Sequence, residues 1–104
     1  MSYKEIYESW RSDPDAFWMK EAQSIDWVKP PSKALFAENA PLYEWFSDAL
    51  VNTCWNAVDR HVEAGRGDQL AIIHDSPITH STNGITYREL RDRVASLAGA
   101  LRAK

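Results

Sequence analysis

The sequence has one cysteine in 104 residues, Cys54, so no internal disulfide framework can hold it together. It has no apolar run long enough to cross a bilayer as a helix. Its start, Ser2-Tyr3-Lys4-Glu5-Ile6-Tyr7-Glu8-Ser9-Trp10, lacks the apolar core of a signal peptide. It has no basic run either. Lys and Arg are scattered among Asp and Glu, and the net charge is −3. Electrostatics therefore give no reason to expect nucleic acid, and no membrane partner is expected. Together these absences point to a reducing, cytoplasmic setting.

Site motifs are missing as well. Gly65-Arg66-Gly67-Asp68 is too short for a phosphate loop and lacks the following Gly-Lys-Ser/Thr, so it reads as a turn. His61, His74 and His80 are too widely spaced, with one cysteine, for a zinc site. No serine has a G-x-S-x-G context, and no Cys–His pair is recognisable from order alone. Asp13 and Asp15 look like helix-start residues rather than acid–base partners. The hydroxyl-rich run from Asp75 to Gly84 is what a solvated loop looks like. No catalytic, cofactor-binding or metal-binding residue is assigned.

What is present is aromatic. Trp10, Trp18, Trp27, Trp45 and Trp55 all lie in the first 55 residues. Rings of that size fill a thin core or pack against a larger body. A chain of this length buries roughly two-thirds of its unfolded surface, enough for a modest core.

In chain order, Ile6, Tyr7 and Trp10 predict a short helix over Tyr3–Trp10. Asp13 caps a second helix, Pro14–Gln23, with Pro14 at its first position and Asp15 near its positive end. Residues 25–41 read as irregular, with Pro30-Pro31 extended and two anchors, Trp27-Val28 and Leu35-Phe36. Residues 42–51 are open between two short strands and a short helix. Asn52–Gly65 is the clearest helix of the middle, with Asn52 as cap and Gly65 as its left-handed end. Cys54, Val58 and Val62 form its buried stripe, which makes Cys54 a buried structural thiol. Leu70–His74 and Ile85–Tyr87 are expected to pair as a short hairpin around a long loop. Thr86-Tyr87-Arg88-Glu89 carries a capping-box pattern. Leu90, Val94, Leu97, Ala98 and Leu101 then give one apolar face of a long C-terminal helix.

The fold class is thus α+β: mainly helices, one short hairpin and a long last helix. That helix is still running at Lys104, and a strand–helix pair ordinarily leads to another strand beside the first. The expectation is therefore a fragment of a larger α/β protein, with a complete small α+β domain as the alternative.

Asn56-Ala57-Val58-Asp59-Arg60-His61 resembles the N-x-x-D-R-H signature near the front of AMP-forming acetyl-CoA and propionyl-CoA synthetases. Asp13-Pro14-Asp15-Ala16-Phe17-Trp18, then Trp27, then Trp45-Phe46, resembles that family's N-terminal extension. Gly67-Asp68-Gln69-Leu70-Ala71-Ile72-Ile73-His74-Asp75, followed by Gly84-Ile85-Thr86-Tyr87-Arg88-Glu89-Leu90, resembles the opening of its adenylating (AMP-binding) domain. His74-Asp75-Ser76-Pro77-Ile78-Thr79 is similar to the propionyl-CoA synthetase form.

The resemblance implies two parts, an N-terminal extension over residues 1–65 and the first strand–strand–helix unit of the adenylating domain over residues 66–104. It implies an acid–thiol ligase that uses ATP, Mg²⁺ and CoA to make acyl-CoA from propionate or acetate through an acyl-adenylate. The family's reacting groups lie later than this sequence, so the piece alone is expected to be inactive. Its partner would be the remainder of the adenylating domain. Asp59, Arg60 and His61 would then be anchors in a joint. An independent Trp-rich helical protein-interaction module is the competing reading. Exposed at the Leu70–His74 edge and the Leu90–Leu101 face, the piece is expected to associate with itself.

Overall fold

The computed structural model describes residues 1–103. The chain forms two compact units that divide between Asn52 and Thr53.

The first unit opens with α1 (Tyr3–Ser12). Its start is a reciprocal cap: the Glu5 amide donates to Ser2 Oγ at 3.3 Å and the Ser2 amide donates to Glu5 Oε2 at 2.6 Å. Asp13 Oδ1 then accepts the Ala16 amide at 3.0 Å and starts α2 (Pro14–Glu21), with Pro14 in the first turn. α2 ends sooner than Gln23 and tightens into a 3₁₀ turn, Ala22–Ser24.

Residues 25–41 are less irregular than their composition implies. β1 (Trp27–Lys29) stops just before Pro30 and pairs antiparallel with β4 (Leu50–Val51). β2 (Leu35–Phe36) pairs antiparallel with β3 (Glu44–Trp45). The two-strand alternative for residues 42–51 is the one adopted. Such short strands carry little signal of their own; they form because each finds a partner at longer range. Ala34, wholly buried, ties this unit together. Its amide donates to Asp15 Oδ1 at 2.9 Å, and its carbonyl accepts the Phe46 amide at 2.9 Å.

The second unit begins with the central helix, residues 53–66. It contains two π segments, Trp55–Asp59 and Val62–Arg66. Val58 and Val62 are buried as their spacing predicts, but Cys54 is exposed. The wider π turns change which positions superpose, so Cys54 leaves the stripe that i, i+4 counting places it on. Gly65 has φ 80°, the left-handed end expected of it.

β5 (Leu70–Ser76) and β6 (Ser81–Thr86) form an antiparallel hairpin, with Ile72 opposite Ile85 and His74 opposite Asn83. The long loop expected from Ser76 to Gly84 is therefore mostly strand, and the connection is only the turn 77–80. Paired Thr and Ser side chains favour an extended backbone as readily as a loop. Tyr87 belongs to the helix, not to the strand: α3 runs Tyr87–Arg102. Its cap is the expected box, in which the Glu89 amide donates to Thr86 Oγ1 at 3.3 Å and the Thr86 amide donates to Glu89 Oε2 at 2.8 Å. The architecture is α+β, as the sequence reading has it.

Removing the Thr86 hydroxyl should cost about 1 kcal/mol, typical of a lost N-cap. Thermal unfolding of Thr86→Ala, followed by the helical circular dichroism signal, measures it. Hydrogen bonds from Ser2 hold the Glu5 carboxyl below its ordinary value, and bonds from Thr86 do the same for Glu89. Both contribute stability above the unfolded carboxylate pKa, about 4.3, which is lost as pH falls through the lower folded value. The melting temperature should fall with acidification below that point, and Glu89→Gln should flatten the fall.

Candidate functional site

The Asp59-Arg60-His61 cluster sits on the central helix: Asp59 ends the first π segment, and Arg60 and His61 lie between it and the second. The Cys54 thiol donates to Asp59 Oδ2 at 3.5 Å. His61 Nδ1 is 3.3 Å from Arg66 Nη1, and the His61 and Tyr87 rings are 5.0 Å apart. The Arg66 guanidinium also lies over the Tyr87 ring at 5.7 Å and donates to Gln69 Oε1 at 2.8 Å. The backbone follows the same path. The Tyr87 amide donates to the Gln69 carbonyl at 3.1 Å, and the Arg88 amide donates to the Gly67 carbonyl at 3.0 Å. Arg91 Nη1 reaches Glu63 at 3.2 Å.

These contacts fasten the end of the central helix to the start of α3 through the 67–69 turn. A Cβ at Gly67 would lie 2.6 Å from the end of the Arg88 guanidinium, a half-exposed side chain that can move aside. His61 is half-buried against Tyr87. The arrangement is a joint. Its polar groups contact one another: His61 with Arg66, and Arg66 with Gln69.

Desolvation first, and the neighbouring Asp59 carboxylate second, push the Cys54 thiol above its ordinary value. A raised pKa means less thiolate at neutral pH, opposite to what an activated nucleophile needs. Asp59→Asn should therefore speed alkylation of Cys54 by iodoacetamide at pH 7.5, read by intact-mass spectrometry. An unchanged rate would remove Asp59 from this account.

The other histidines lie apart. His74 is exposed on β5 and His80 is exposed in the hairpin turn. Among the described residues, no group of three or more His, Cys, Asp and Glu could hold a metal. The hydroxyls of the 75–84 segment satisfy each other: Thr79 Oγ1 and Ser81 Oγ are 2.7 Å apart, and Thr82 Oγ1 donates to Asp75 at 3.1 Å.

In the first unit Trp18, Trp45 and Trp27 belong to one chain of rings. Trp18 meets Trp45 edge-on at 5.9 Å, Trp45 lies 6.0 Å from Phe46, and Phe46 lies 5.6 Å from Trp27. The Trp27 indole donates to the Ala22 carbonyl at 2.8 Å. A depression of about 320 Å³ opens beside Trp18, Leu35 and Trp45, with Asp13 and Asp15 on its wall. Both carboxylates already accept backbone amides, from Ala16 and Ala34. An aromatic ligand platform needs polar groups that converge on the ligand, and these two are engaged in holding the chain.

Sequence reading missed two things here. Ser2-x-x-Glu5 is a capping box in plain sight. The Arg66–Gln69–Tyr87 joint is not visible in the sequence, because nothing local marks residues 21 positions apart as partners.

The model for the acetyl-coenzyme A synthetase N-terminus matches residues 3–57, and the chain belongs to that family. It is 44% identical over 99 residues to human acyl-CoA synthetase short-chain family member 3, mitochondrial; the match covers 95% of this chain and 14% of that relative. It is 40% identical over 97 residues to the acetyl-coenzyme A synthetase of Streptomyces coelicolor, covering 93% of this chain and 15% of the relative. The chain thus spans about one-seventh of the length of the curated relatives it matches. Relatives with the broader and the narrower description match at similar identity. Among the described residues no helix is long and apolar enough to cross a membrane.

Proposed function

We infer that this chain is the front, structural part of a short-chain acyl-CoA synthetase. The whole enzyme would activate propionate or acetate with ATP to an acyl-adenylate, releasing pyrophosphate, and CoA would displace AMP to give the thioester. ATP, Mg²⁺ and CoA would be held by later residues, where charge developing on the transferred groups needs cationic stabilisation. The observation that carries this reading is the family match together with identity to synthetases along nearly the whole chain.

On this reading residues 1–65 are the N-terminal extension and residues 66–104 open the adenylating domain. The remainder of that domain is the partner, and the preference is propionate over acetate, which rests on the His74–Thr79 resemblance alone. A reducing, cytoplasmic setting belongs to the same proposal; the human relative's name places that protein in mitochondria. The chain by itself would associate with a second copy.

The role of the joint can be tested in a synthetase that carries this chain at its front. Asp59→Ala should lower the melting temperature while leaving turnover per folded molecule within about twofold. An unchanged melting temperature with lost turnover would make Asp59 part of the chemistry instead.

A further inference from the structure

β5 is apolar on both faces: Leu70, Ala71, Ile72 and Ile73 follow one another without a polar residue. Such a run is the pattern of a strand covered on both sides, whereas a strand with one wet side alternates. The pairing with β6 shows how the run is divided. Leu70 lies opposite Thr86, Ile72 opposite Ile85 and Ile73 opposite Gly84. Two steps on β5 thus match one step on β6, so Ala71 is the extra residue of a bulge. The bulge moves Leu70 onto the face of Ile73, where plain alternation would set it beside Ile72. A Cβ at Gly84 would lie 2.7 Å from Leu70 Cδ2, which places the Leu70 side chain across Gly84 on that same face.

α3 packs against both strands. Half-buried Ile85, opposite Ile72, marks the face that the helix covers. The other face is open: Leu70 is 53% exposed and Ile73 69%. The polar groups at its two ends are already engaged. Thr82 Oγ1 donates to Asp75 at 3.1 Å, and Thr86 Oγ1 accepts the Glu89 amide in the α3 cap. An apolar centre inside a polar rim is the form of a contact surface. Two side chains present far less than the roughly 800 Å² that each partner of a stable complex buries, so a second copy has too little to hold here. A body joined to the same chain needs no such area, because its contact is intramolecular. The chain matches only 14% of the human relative, and a sheet of an α/β protein carries cover on both faces.

We propose that the Leu70–Ile73 face of the hairpin, on the side away from α3, docks an apolar face of the remainder of the synthetase. This rests on the reading of the chain as the front of such an enzyme, and it names the surface that meets the rest.

Thiol labelling tests it in a Cys54→Ser background, with the isolated 104-residue chain and with a synthetase that carries the chain at its front. Labelling by N-ethylmaleimide is read at each position by peptide mass spectrometry. In the isolated chain the Ile73→Cys thiol should react as fast as that of Ile78→Cys, whose position in the hairpin turn is 90% exposed. In the synthetase the Ile73→Cys thiol should react at least about tenfold more slowly than in the isolated chain. Equal rates in the two proteins would overturn the surface. A slow rate already in the isolated chain would mean that the chain covers this face itself or pairs through it, and would overturn the assignment to the remainder. Ile73→Glu should lower the melting temperature of the synthetase and leave that of the isolated chain unchanged. Equal falls would make Ile73 part of the hairpin's own packing and overturn the docking role. A synthetase that forms no acyl-CoA would overturn the functional reading instead, and the labelling ratio would still decide the surface.

Discussion

Val58→Asp is expected to unfold the second unit. Val58 is 8% exposed and, with Val62, supplies the buried side chains of the central helix. An uncompensated carboxylate at such a position costs about 3 kcal/mol or more. A body of some fifty residues has a total stability of only about 3–7 kcal/mol, so most or all of it would be lost. Thermal unfolding followed at 222 nm should show the central helix and α3 melting early or already melted. Ala95→Asp is the control. It places the same charge on a helix of the same unit, at an exposed position, and should change the melting temperature little. Equal effects from the two would mean that Val58 is not the core residue described above.

Asp15→Ala carries the second large effect, in the other unit. Asp15 has the place of a helix-start residue, and dipole complementarity alone there is worth only a few tenths of a kcal/mol to about 1. Its Oδ1, however, accepts the amide of wholly buried Ala34, 19 positions away. Without that acceptor the buried N–H is unsatisfied, which costs about 1–3 kcal/mol. Asp15→Asn keeps an oxygen acceptor in the same place and should recover most of the loss. If Asp15→Asn is as damaging as Asp15→Ala, the negative charge rather than the hydrogen bond is what matters, and the link to Ala34 is incidental.

These two residues show what could be read in advance. Helices marked by local chemistry were legible: Asp13-Pro14 starts α2, Gly65 ends the central helix, and Thr86 with Glu89 caps α3, because each signal lies within four residues of its effect. The strands of the first unit were not. β1 to β4 are two or three residues each and exist through pairings such as Trp27 with Val51 and Leu35 with Trp45, which no local pattern announces. Cys54 lies off the buried stripe because i, i+4 counting assumes α turns and the turn that follows it is π. The polar segment from Ser76 to Gly84 carries no strand signal of its own, because alternation is invisible when both faces are polar. The Asp-Arg-His cluster drew notice from the sequence, while its partners Arg66, Gln69 and Tyr87 came only from the fold.

The family was legible for a different reason. The order of short motifs along the chain is specific even where each motif is weak, and the match to the synthetase N-terminus bears that out. Substrate choice has no such support. Relatives described as acyl-CoA synthetase and as acetyl-coenzyme A synthetase match at 44% and 40%, and the reacting pocket is proposed to lie in residues beyond these.

The central claim is that this chain contributes structure to a synthetase and no chemistry of its own. Pyrophosphate release by the purified 104-residue chain, incubated with ATP, Mg²⁺ and propionate or acetate, tests it most directly. The account predicts release no faster than in the protein-free mixture. Release above that background, rising with chain concentration and lost on heating, would contradict it.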